Sequence, residues 1–258
     1  MTTPDSPVTH EVFDGIAWIA LNRPEKRNAL NPEARQLLAT AFENAAADDD
    51  VRVAVLTGNG GAFSAGVDLS ESTSDERHVL ARDQAPVTAP LDVFPKPVIA
   101  AIDGPAVGGG FELALAADMR VATRRSFFAL TEVQIGSLPG SGGTQRLFSA
   151  VPAAVAWHLI LSGDRLPAQR AYDVGLVSHL TDDTTFRAEV VELAARVASA
   201  APLSLRAAKL AGRAGLSDAR APGMALERSL WAFLSTTEDR AEGRAAFREK
   251  RPPDFKGR

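Results

Sequence analysis

The chain contains no cysteine among its 258 residues. Disulfides and thiolate metal clusters are thereby excluded, and the composition fits a reducing compartment. No apolar run approaches the roughly 20 residues that a membrane-spanning helix needs. The opening stretch, MTTPDSPVTHE, carries Asp5 and Glu11 but no basic cluster and no apolar core, so it does not read as a secretion signal. Basic charge is not in excess either: the net charge is −4, which argues against a general nucleic-acid binder. A soluble cytoplasmic protein with no membrane and no nucleic-acid partner is the expectation.

Several catalytic signatures are missing too. The four histidines, His10, His78, His158 and His179, form no HExxH-like pair, and no metal site is expected. His158 reads as a helix-face residue and His179, after an apolar run, as a structural one. Ser64 lies in Gly61-Ala62-Phe63-Ser64, one residue too long for the nucleophile elbow of serine hydrolases, and no Ser-His-Asp set is visible. No segment carries the GKS or GKT ending of a P-loop. A chain of this length buries roughly three-quarters of its unfolded surface, so a single large domain, with or without a small appendage, needs no covalent staples.

What is present centres on Pro97–Asp118, PVIAAIDGPAVGGGFELALAAD. An apolar run, Val98–Ile102, ends in Asp103-Gly104-Pro105. Three glycines follow, Gly108–Gly110, and a run of helix formers begins with Glu112 inside it. Strand, turn, glycines and helix bring bare backbone amides close to a ligand. The amide of Gly109, in the first turn, has no carbonyl four residues back, and it sits at the positive end of the helix dipole. An oxygen that gains negative charge in a reaction would be stabilised there. Glu112 lies one helical turn on, and its carboxylate shares that face. Glycines alone more often mean a helix packed tightly on a strand, and one acid near a helix start more often complements the dipole. An acid inside the otherwise apolar FELALAA is less expected as a surface group.

Other segments add to this picture. Val51–Thr57 is a short β-branched run that leads through Gly58, Gly60 and Gly61 into Phe63–Leu69, FSAGVDL. Leu130–Leu147 reads LTEVQIGSLPGSGGTQRL. With Asn22–Leu30 (NRPEKRNAL), Lys96–Asp118, Leu161–Leu166 (LSGDRL), Gly175–Leu180 (GLVSHL) and Ala246–Phe255 (AFREKRPPDF), these occur in one order over nearly the whole length. In that order they resemble the crotonase superfamily, the enoyl-CoA hydratase/isomerase family.

The resemblance implies an acyl-CoA thioester as substrate, with coenzyme A as part of that substrate and no separate cofactor. It implies an oxyanion hole made by the amides of Val67 and Gly109, and two catalytic glutamates, Glu112 and Glu132. Further substrate contacts are implied at Lys26 and Ala29, at Ser64, Ala65, Gly66, Asp68 and Leu69, at Gly108, and at Thr131 and Gly136. The short basic cluster of Arg23, Lys26 and Arg27 is ordinarily a solvated turn; in the family the matching segment lies near the CoA phosphates. Asp68 is expected chiefly to order its own loop. Thr131 departs from the pattern, since family hydratases commonly carry proline there.

The implied chemistry is hydration of a 2-enoyl thioester: one carboxylate takes a proton from water beside C3 while another delivers one to C2. Two neighbouring carboxyls raise one another's proton affinity, so one proton shared between them is expected. Isomerisation of a 3-enoyl-CoA, dehydration of a specialised hydroxyacyl-CoA, and acyl-CoA binding without catalysis are the alternatives.

The fold class expected is α/β. Val8–Phe13 and Ile16–Asn22 flank Asp14-Gly15, a hairpin signal. Pro32–Ala47 reads as a helix with Asn31 as its cap. Strands near Val51–Thr57, Val98–Ile102 and Met119–Ala122 alternate with helices in a ββα rhythm, and the resemblance implies a spiral of such turns. Helices are expected over Thr185–Ala200, Pro202–Gly212, Pro222–Ser235 and Thr237–Glu249. The division expected is a core of residues 1–195 and a helical region of residues 196–258. In the family that region assembles subunits into a homotrimer or a dimer of trimers. The segment Ser70–Asp92 is expected to roof the acyl pocket.

Overall fold

The computed structural model describes residues 6–68, 85–135, 137–216, 229, 233–234 and 236–258. Strands β1 (Val8–Phe13) and β2 (Ile16–Leu21) form the expected antiparallel hairpin, with Phe13 opposite Ile16. Asp14 and Gly15 both have positive φ, +49° and +77°, which matches the strand twist across a two-residue turn. Strands β3 (Val53–Gly58), β4 (Val98–Ile102), β6 (Met119–Thr123) and β9 (His179–Thr181) extend the sheet in parallel, in the order β1-β2-β3-β4-β6-β9. A second sheet, β5 (Pro105–Val107), β7 (Phe127–Ala129) and β8 (Leu166–Pro167), stands beside it.

The central strands are apolar on both faces because both are covered. Ala17, Ile19 and Leu21 of β2 share one core with Leu56, Val98 and Ala100, with Leu38 and Phe42 of helix α1 (Pro32–Ala47), and with Phe111 and Leu113 of a further helix described below. The alternate residues Ile16, Trp18 and Ala20 face the other way, with Val53, Val55 and Ile99. Each buried Val, Leu, Ile or Phe of these cores contributes about 1.5–3 kcal/mol, and each alanine less. Helix α1 begins where Asn31 accepts a hydrogen bond from Ala34 N at 2.8 Å. At its other end the buried Lys96 ammonium donates to the carbonyls of Ala45 (2.7 Å) and Asp48 (2.5 Å). Burial pushes the Lys96 pKa down to about 8.

Helix α2 (Ala89–Val93) precedes β4, and helix α3 (Gly109–Ala116) follows β5 with every residue buried. After β7 come a short 3-10 turn, Glu132–Ile135, and then helices α4 (Gly143–Ala150), α5 (Ala153–Ser162) and α6 (Ala168–Asp173). Helix α7 (Phe186–Ala198) lays Phe186, Val190, Leu193 and Ala194 on the second face of the large sheet. The expected division at residues 195/196 falls inside this helix. Helices α8 (Pro202–Gly215) and α9 (Glu238–Glu249) follow. Most of the expected helix Pro222–Ser235 lies outside the described residues, as do Leu69 and Gly136 and most of the expected roof Ser70–Asp92.

One local expectation differs from the structure. Between the Asp103-Gly104-Pro105 turn and the glycine triplet stands β5, which pairs Ala106 with Phe128 of β7 in the second sheet. A strand of three residues has too little periodicity to show itself in sequence.

Candidate active site

Two loops meet at the start of α3. From one side comes the stretch after β3, in which Ser64 bridges Ala106 and Val67 bridges Leu30. From the other side comes Gly108, whose N–H donates to Ala129 O at 2.9 Å and whose φ of +53° turns the chain into the helix. Gly66, at φ +87°, lets the loops touch: a Cβ there would lie 2.8 Å from Val107 O and 3.0 Å from Gly109 N. A Cβ on Gly109 would lie 3.7 Å from Val67 N. The Val67 and Gly109 amides thus stand side by side, and among the described residues neither meets a backbone acceptor. An oxygen between them would receive two hydrogen bonds, one from a helix N-terminus.

Glu112 is buried on the first turn of α3. Its Oε1 accepts from Ser141 N (2.7 Å) and from Gly143 N (2.8 Å), the turn that opens α4. Burial, the largest effect, holds the Glu112 pKa above its ordinary value, and the two amides and the Arg146 guanidinium only partly offset it. Glu132 opens the 3-10 turn, and its Oε1 lies 3.0 Å from where a Cβ on Gly108 would stand. Its Oε2 is buried and, among the described residues, has no hydrogen-bond partner. Burial pushes the Glu132 pKa up, and the Glu112 charge raises it further. The two acids expected from sequence therefore flank the glycine triplet in unlike surroundings. Glu112 sits in a cradle of amides; Glu132 keeps an unsatisfied oxygen.

A cleft of about 730 Å³ lies beside this point. Its lining includes Ala65, Val107 and Thr131, the sequence neighbours of Gly66, Gly108 and Glu132. Arg27, Gln134, His158 and Asp164 line it too, with the Arg165 guanidinium 4.5 Å from the centre of the Phe127 ring. His158, on α5, has Nε2 3.0 Å from Asp164 Oδ2. Thr131, in place of the family's common proline, accepts from Gln134 N at 3.0 Å and so starts the turn that carries Glu132.

The basic cluster divides. Arg23 points inward, with Nη1 3.0 Å from Asp68 Oδ2 and 2.8 Å from the carbonyl of Ala29. Asp68 thereby ties its loop to the turn that carries Arg23. Lys26 is exposed, and Arg27, at φ +49°, reaches the cleft. Ser64 is fully buried; its hydroxyl donates to Asn28 O at 2.8 Å and accepts from Gly66 N at 3.1 Å, so this side chain braces the loop. Ser141 and Gly143, which hold Glu112, were not singled out from the sequence. Their signal was the run Gly140-Ser141-Gly142-Gly143 ahead of a helix, the same signal as the triplet at Gly108–Gly110.

A model of the enoyl-CoA hydratase/isomerase family matches residues 11–258 of the chain. The chain belongs to that family. It is 42% identical over 255 residues to (E)-benzylidenesuccinyl-CoA hydratase of Thauera aromatica, covering 97% of this chain and 99% of the relative. It is 43% identical over 244 residues to 2,3-dehydroadipyl-CoA hydratase of Escherichia coli (strain K12), covering 94% and 96%. The crystal structure of an enoyl-CoA hydratase from Bacillus anthracis superimposes with a TM-score of 0.93 at 33% identity, over 98% of this chain and 100% of that one. The architecture is that of the crotonase superfamily. Among the described residues no group of side chains could hold a metal ion, and no helix is long and apolar enough to cross a membrane.

Proposed function

We propose that this enzyme of the hydratase family, a lyase, adds water across the 2,3 double bond of an enoyl-CoA thioester. The observation that carries the reading is the unlike pair of acids beside two unpartnered amides. The thioester oxygen sits between Val67 N–H and Gly109 N–H, where enolate charge developing during attack is stabilised. Glu112, held by the Ser141 and Gly143 amides, is the ionised partner and takes a proton from water as its oxygen bonds to C3. Glu132, whose charged form is penalised by burial and by Glu112, carries the proton that C2 receives. Exchange of a proton between the two acids restores the starting state. Coenzyme A enters only as part of the substrate, and no metal takes part.

The cleft past Ala65 and Thr131 is the natural course for the CoA arm, with Arg27 and Lys26 near its outer end for phosphate charge. Assembly of three or six copies belongs to the same reading. Its support is the apolar surface left exposed by Trp157, Leu161 and Leu210. Incubation with a panel of 2-enoyl-CoA thioesters, with apolar and with carboxylate-bearing tails, tests the activity. Loss of enoyl absorbance with water uptake is expected. Conversion of a 3-enoyl-CoA without water uptake would instead indicate an isomerase, and binding without turnover a carrier.

A further inference from the structure

A guanidinium near the start of a helix is unfavourable for the helix dipole, which prefers anions there. Arg146, in the first turn of α4, folds back over that end so closely that a Cβ on Gly142 would overlap it. Its Nη1 donates to Ser141 O at 2.8 Å, and its Nη2 pairs with Asp92 Oδ1 of α2 at 2.5 Å. Thr88 Oγ1 joins the same carbonyl at 3.1 Å and lies 3.3 Å from Asp92 Oδ2, while Val87 N donates to Ser141 Oγ at 3.2 Å. Ser141 is therefore fixed from three directions, and its own N–H is one of the two that grip Glu112.

We propose that Arg146 is a positioning residue. Through Ser141 it locks the amide cradle of Glu112, its charge stands beside that cradle, and through Asp92 it ties the cradle to the 87–92 stretch. The same stretch brings Val87 Cγ2 to 3.6 Å from where a Cβ on Gly109 would stand, so one guanidinium aligns the acid with the neighbourhood of the amide pair. Among the described residues, the charged groups around Glu112 are Glu132 from the turn after β7 and Arg146 from α4. Asp92 of α2 stands behind Arg146, and Arg213 of α8 donates to the Asp92 carbonyl at 2.7 Å and pairs with Asp118. Arg146 is the cation of this set that contacts the cradle. The role assigned to it rests on the hydratase reading above for its effect on rate, but not for its effect on the charge of Glu112.

The test uses Arg146→Gln and Arg146→Lys in the full chain, with two readouts. The first is the pH profile of kcat and KM on the best enoyl-CoA substrate. The second is the titration of the Glu112 carboxyl by carbon-13 NMR, assigned by its loss in Glu112→Gln. Arg146→Gln is expected to lower kcat about tenfold at neutral pH, to leave KM within about twofold, and to move the acidic limb and the carboxyl midpoint up by about one pH unit. Arg146→Lys keeps the charge without the two-armed grip, and its midpoint is expected to return most of the way to that of the parent. A less active Arg146→Gln protein that titrates as the parent does would overturn the proposal, and so would equal midpoints for the Gln and Lys variants. If the parent hydrates no enoyl thioester, the hydratase reading fails, while the Glu112 titration still decides the role of Arg146.

Discussion

Gly66 and Gly109 meet backbone to backbone: a single methyl group on Gly66 would stand 3.0 Å from the Gly109 amide nitrogen. The pair sets how far apart the Val67 and Gly109 N–H groups lie. Gly66→Ala adds that methyl at φ +87°, where an L side chain is strained by about 1–3 kcal/mol. The amides must then separate. Activity is expected to fall about a hundredfold, as for a displacement of the order of an ångström in a positioned site, with only a moderate drop in melting temperature. Measured kcat/KM close to the parent's would show that the two amides do not act together.

Glu112→Gln and Glu132→Gln each keep the shape of the side chain and remove its acid–base capacity. Each is expected to lower kcat by about 10²-fold or more, the lower end for a lost general acid or base. Acyl-CoA affinity, measured by calorimetry with a saturated analogue, should change little. Near-parental turnover in either variant would refute the two-glutamate mechanism.

Burial and the Glu112 charge raise the Glu132 pKa above its ordinary 4.5. The folded state therefore holds this proton more tightly than the unfolded chain does. Its stabilising effect is full below the ordinary carboxylate pKa and is lost as pH rises through the folded value. Glu132→Gln, neutral at all pH, should thus melt higher than the parent at neutral pH, with the difference shrinking in acid. Calorimetry across that range checks this, and a variant less stable than the parent at neutral pH would contradict it.

Trp157, Leu161, Leu210 and Phe233 are each more than half exposed. Surface of this kind points to association of like chains. Sedimentation at micromolar concentration is expected to give three or six times the chain mass of 27.2 kDa. A fully active species at one chain mass would count against assembly.

Much of this protein was legible in its sequence wherever the information is local. Asn31 and Pro32 mark the start of α1 because a cap and a preset φ act within one turn. Asp14-Gly15 marks the hairpin because few residues accept two positive φ angles in succession. Glu112 stood out as an acid inside an apolar helix. The Gly109 amide stood out as a first-turn donor at a helix start; its partner Val67 and the second acid came from motif order, through the resemblance, and not from any local rule. Tertiary structure decided what those residues touch. Ser141 and Gly143 lie about thirty positions from Glu112 and grip it only because α4 starts against α3. Arg146 and Asp92 are 54 positions apart. Arg23 turned inward to Asp68 while Lys26 stayed in solvent, although both belong to one basic run. The short strands β5, β7 and β8 exist because they pair with one another, and a strand of two or three residues carries no period of its own. Hydrogen-bonding groups have fixed reach, and only the folded chain determines which of them come within it.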